Sequence, residues 1–148
     1  MSSAVIMDAI VSKIKSVLSE ANEVLAGEVT PERVEEMNRL FARAMSAGWT
    51  EGLRTWLATA ETSSETIELE GVTYRYKLES EKEFLTPGGM LKLVRRVYQP
   101  DAGGECYVPL DAAWGMEDQF ATVEVRDAAL YGIALGTAQE TETLLGKC

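Results

Sequence analysis

Apolar residues recur at spacings of three and four over the first sixty positions, then at spacings of two over the next forty. Val5, Ile6, Ala9, Ile10, Ile14, Val17, Leu18, Ala21, Val24 and Leu25 line one face of a helix that Gly27 ends. Thr30-Pro31 begins a second helix, because Thr30 can cap the free N–H groups and proline loses nothing at the first helical position. This helix carries Val34, Met37, Leu40, Phe41, Ala44 and Met45 on its apolar face, and Gly48 marks its end. A third, shorter helix is expected from Glu51 to about Ala60, capped by Thr50 and carrying Leu53, Trp56 and Leu57. The short connection predicts an antiparallel helical hairpin.

Residues 61–66 are polar and read as a linker. Beyond them Ile67 and Leu69 flank Glu68, Glu70-Gly71 makes a turn, and Val72, Tyr74, Tyr76 and Leu78 alternate with Thr73, Arg75, Lys77 and Glu79. That is a strand pattern. A further strand is predicted from Met90 to Tyr98, where both parities hold apolar residues and leave the face open. Phe84-Leu85-Thr86 and Pro87-Gly88-Gly89 predict a strand edge and turn before it. Pro100 to Gly104 predicts a second turn, with Glu105–Val108 returning as a short strand. Links this short require an antiparallel sheet, here of three or four strands. A helix is expected from about Thr122 to Leu135, and the capping-box pattern Thr137-Ala138-Gln139-Glu140 opens a last one. The expected class is α+β: a helical hairpin or three-helix segment over 1–60, then a small antiparallel sheet and C-terminal helices over 67–148, as two modules or one compact domain.

Composition narrows the function. Asp8, Lys13 and Lys15 interrupt the N-terminal apolar positions, which argues against a secretory leader, and no run of 18 apolar residues exists for a membrane span. Cys106 and Cys148 are too few for a zinc site and are expected as free thiols in a cytoplasmic protein. Histidine is absent, which removes the commonest general base and metal ligand. The carboxylate clusters Glu35-Glu36, Glu79-Glu81-Glu83 and Glu117-Asp118 read as solvated faces, since no spacing makes them converge on a metal. Gly88-Gly89 and Gly103-Gly104 read as hairpin turns, lacking a phosphate loop's spacing and following helix. The expectation is therefore no enzyme, no cofactor and no metal.

Formal charge is −10, a field that opposes nonspecific nucleic-acid binding. It is uneven: residues 71–96 hold six bases against three acids. Arg75, Lys77, Lys92, Arg95 and Arg96 are the nucleic-acid candidates, with Tyr74, Tyr76 and Tyr98 nearby, and Arg95 on the face opposite Lys92 and Arg96. The structural alternative is that these bases offset Glu79, Glu81 and Glu83 across the sheet. Trp49, Trp56 and Trp114 read as core or module-interface anchors, and any that is exposed becomes a partner-binding candidate. Glu32, Glu35, Glu36, Trp49, Glu117 and Asp118 are the candidates for contact with a protein partner.

Three stretches carry a resemblance: Gly71-Val72-Thr73-Tyr74-Arg75-Tyr76, the run TPGGMLKLVRRVY from Thr86 to Tyr98, and Tyr107 to Gly115 as YVPLDAAWG. Together, over about 67–148, they resemble the N-terminal accessory region of bacterial insertion-sequence transposases of the Kra type. The resemblance implies a noncatalytic module detached from its catalytic core, with a cysteine-containing turn that here holds one cysteine, Cys106. Joined to the acidity, it leads to an expected protein–protein interaction module that regulates or inhibits a nucleic-acid-processing complex, as a phage antagonist of bacterial defence does. The alternative is a transposase-derived DNA- or RNA-binding module using the basic sheet face. A metal-dependent nuclease ranks third, and homo-oligomerisation is compatible with each.

Overall fold

A computed structural model describes residues 2–135. Helix α1 (Ser3–Leu18) passes through a 3-10 turn into the single-turn α2 (Asn22–Leu25), and Gly27 follows in the connection. Helix α3 (Pro31–Leu57) starts as its sequence predicts: the Arg33 N–H donates to Thr30 Oγ1 at 3.2 Å, with Pro31 at the first position. It then continues for 27 residues. The expected break at Gly48 and the separate helix capped by Thr50 do not occur.

The reason lies in packing. A lone glycine costs a helix only about 1 kcal/mol, and α1 makes use of the missing side chains. A Cβ on Gly48 would stand 2.7 Å from Ile14 Cγ1, and one on Gly52 the same 2.7 Å from Ile10. Leu40, Ala44, Gly48 and Gly52 thus form one buried row at i+4 spacing, against which α1 lies. Thr50 turns its hydroxyl inward, donating to the carbonyls of Ser46 (3.0 Å) and Ala47 (3.3 Å) instead of capping.

The sheet is antiparallel in the order β1 (Thr66–Leu69), β2 (Val72–Thr86), β3 (Gly89–Pro100). Glu70 and Gly71 both take positive φ, 50° and 79°, which gives the hairpin turn whose twist matches its strands. Strand β2 is longer than the 72–78 alternation predicts, running on through Glu79, Glu81 and Glu83 with a bulge between Tyr76 and Leu78. Pro87-Gly88 closes the second hairpin, and Thr86 Oγ1 is bonded to both Gly88 N and Gly89 O. The expected return strand after Gly104 reduces to one bridge, Tyr98 with Tyr107.

Register resolves the ambiguous face of β3. Leu91, Leu93 and Arg95 point inward, opposite Phe84, Lys82 and Ser80, while Lys92 and Val94 point outward. The core joins Leu57 of α3 to Phe84, Leu91, Leu93, Leu110 and Met116, with Leu53 and Trp114 packed on it. Its lid is α4 (Pro109–Ala113), a short helix not anticipated from sequence, and α5 (Val123–Leu135) follows. Leu85 anchors the approach to α5 by bonding Phe120 O (2.6 Å) and Thr122 N (3.0 Å). The helix expected from Thr137 lies outside the described residues. Helices with a small three-stranded antiparallel sheet make the fold α+β.

Candidate protein-docking surface

Helix α3 is apolar on a wider arc than one contact can cover. Its i+4 row of small residues faces α1, while Leu57 faces the sheet core. Between these two contacts a third strip stays open: Val34 (46% exposed), Phe41 (48%), Met45 (65%), Trp49 (53%) and Trp56 (60%). Single exposed apolar residues are ordinary, but five on one helix face, two of them tryptophans, make this strip the candidate docking surface.

The strip borders two hollows that meet at Trp49 and Leu53. The first, about 520 Å³, is a groove between α1 and α3 walled by Ile6, Ile10 and Ile14 on one side and Met45, Trp49 and Trp56 on the other. Gly48 and Gly52 form part of its lining, so the close approach of the two helices shapes it. The second, about 760 Å³, runs from Trp49 past Pro87 and Trp114 to Met116, Val123 and Arg126. Around it, Trp114 Nε1, Thr122 Oγ1 and Arg126 Nε are buried with no hydrogen-bond partner among the described residues. Trp49 is held in place from the sheet side: a Cβ on Gly88 would lie 2.1 Å from its Cγ, and Ser46 Oγ donates to the Gly88 carbonyl.

The other candidate residues are scattered. Glu32, Glu35 and Glu36 are exposed on the N-terminal half of α3, where Glu35 pairs loosely with Arg39 at 3.9 Å. Glu117 and Asp118 border a different, polar hollow with Tyr74, Cys106 and Tyr107. Burial, then the Glu117 carboxylate and Tyr74, push the Tyr107 phenol above its ordinary pKa.

The basic candidates divide between interior and surface. Arg95 is 6% exposed, gives Nε and Nη2 to Asp111 at 2.9 and 3.0 Å, and gives Nη1 to Ser80 O at 2.9 Å, which removes it from any phosphate contact. Its inward parity on β3 put it there. Arg75 pairs with Asp101 (3.1 Å) and Lys92 with Glu83 (3.6 Å). Arg96 stacks 4.2 Å above the Tyr76 ring and donates to Ser64 O, while Lys77 Nζ lies 4.0 Å from Cys106 Sγ. The expected offset by Glu79, Glu81 and Glu83 across the sheet appears as the Lys92–Glu83 ion pair, whereas Arg75 and Arg95 are neutralised by Asp101 and Asp111, acids outside that set.

Sequence reasoning singled out Trp49 and, on condition of exposure, Trp56, but not Val34, Phe41 or Met45. Phe41 and Met45 were placed on the apolar face together with Leu40 and Ala44, an arc wide enough to signal two faces instead of one. Among the described residues no group of three or more His, Cys, Asp or Glu is placed to hold a metal ion, and no helix is long and apolar enough to cross a membrane. No protein family, curated protein or solved structure matches the chain. Its function is therefore read from its own residues.

Proposed function

We propose that this chain is a noncatalytic protein-interaction module whose docking surface is the open apolar strip of α3 and the α1–α3 groove beside it. The observation that carries the reading is the exposure of Trp49 and Trp56 on one helix face, bordering a formed groove with isoleucine walls. Tryptophan delivers large apolar area for little conformational entropy, and anchors of this kind dominate interface energies. A helix laid into such a groove would offer apolar residues at helical spacing, the recognition mode in which side-chain anchors fill a cleft.

The test uses the full chain as immobilised bait beside a Trp49→Ala/Trp56→Ala double variant. A specific partner retained by the first bait and lost by the second is the expected result. A partner held equally by both would place docking elsewhere on the molecule.

A further inference from the structure

The open strip has a property that bears on what covers it. Its members, Val34, Phe41, Met45, Trp49 and Trp56, are separated by seven, four, four and seven residues. The strip is therefore symmetric about Met45. Rotating α3 by a half turn about an axis through Met45, perpendicular to the helix, lays Phe41 over Trp49 and Val34 over Trp56.

We infer that the partner of this face is a second copy of the chain, with two α3 helices packed antiparallel about a two-fold axis at Met45. The inference rests on the docking reading above and names its partner. A partner for this strip must present matching apolar positions over 22 residues, roughly 33 Å of helix. The same strip, reversed, does so position by position, and a two-fold interface requires such self-complementarity. Met45, the most exposed of the five, meets its own symmetry mate, where a flexible side chain adapts to an identical neighbour.

Area supports the pairing. Three half-open aromatic side chains offer on the order of 100 Å² each. With Val34, Met45 and the isoleucine wall of α1, two copies together bury about 1,000 Å², the lower bound of a specific interface. Net charge acts against association, since each copy carries −10. Salt should therefore tighten this contact by screening the repulsion, whereas it would weaken the grip of an acidic surface on a basic partner.

The experiment measures solution mass of the full chain by sedimentation equilibrium at low and moderate salt, followed by cross-linking across the axis. In a Cys106→Ser/Cys148→Ser background, Met45→Cys should form a chain-to-chain disulfide on mild oxidation, because residue 45 faces itself. Met45→Lys, at an open position and with folding checked by circular dichroism, sets two ammonium groups against each other and should weaken the dimer by about 100-fold or more. A monomer up to on the order of 100 µM overturns the inference, as does a dimer that neither cross-links at position 45 nor responds to the lysine. A monomer that captures another protein through Trp49 and Trp56 overturns the self-pairing alone and leaves the docking reading in force.

Discussion

The ion pair between Arg95 and Asp111 offers a sharp test of how the sheet holds its helical lid. Both side chains are 7% exposed, the contact is bidentate at 2.9 and 3.0 Å, and Ser80 O takes the remaining strong donation. The guanidinium carbon also lies 5.7 Å from the centre of the buried Phe84 ring. Substituting Asp111→Ala leaves that cation in the core with one carbonyl partner. Removing one member of a buried pair costs about 3–5 kcal/mol, because the other charge keeps its desolvation penalty. Set against a total stability of roughly 5–15 kcal/mol for a domain, that is a large share. Removing both charges has a different outcome: Arg95→Met/Asp111→Leu should be neutral or up to about 4 kcal/mol more stable, since neither charge then needs desolvating. Urea unfolding of the parent, Arg95→Met, Asp111→Leu and the double variant, followed by tryptophan fluorescence, closes the double-mutant cycle, with Asp111→Ala measured beside it. Trp114, with its ring 4.9 Å from that of Phe84, sits close enough to report on the site. The reasoning is refuted if Asp111→Ala costs less than about 1 kcal/mol, or if the two single losses simply add in the double variant.

Three further outcomes follow from named contacts. Gly88→Ala should cost about 1–3 kcal/mol in thermal or urea unfolding, because the new Cβ meets Trp49 Cβ and Cγ within 2.5 Å and Trp49 must leave its place against the turn. Thr122→Val should raise the melting temperature, by up to about 1 kcal/mol of stability, since Thr122 Oγ1 is buried unpaired; a loss of that size would reveal a partner for the hydroxyl. Tyr107 holds its proton more tightly folded than unfolded, so neutral-pH stability is unaffected and stability declines as pH climbs past about 10. Melting curves of the Tyr107→Phe variant should show a shallower alkaline decline than the parent.

Period explains what the sequence revealed and what it hid. The start of α3 was legible because Thr30 and Pro31 act locally, and the 70–71 turn because glycine tolerates positive φ at its second position. The course of α3 through Gly48 was not, since the fate of a helical glycine depends on whether another helix needs the space, and Ile14 lies distant in sequence. Likewise, Glu79, Glu81 and Glu83 read as polar surface, which they are, yet nothing local says that one continuous strand carries them. The role of Arg95 hinged on register: inward parity moved it from a candidate phosphate contact to a buried pair with Asp111. The open strip was half visible, because an over-wide apolar arc shows that a helix has more than one apolar face but not which face its own chain leaves open.

By composition the polar run 61–66 read as a linker, whether between two modules or within one compact domain. In the folded protein it is a clasp: Glu61 accepts from the Arg96 N–H at 3.0 Å, Ser64 O receives the Tyr98 hydroxyl and Arg96, and Glu65 O accepts from Tyr76 N at 2.8 Å. A protease nicking this stretch would therefore cut the covalent thread without freeing two halves. Nicked protein should still elute as one species, held by Leu57 in the shared core, and anyone trimming the chain to a minimal helical or sheet fragment at this point would expose Tyr98, which is now wholly buried.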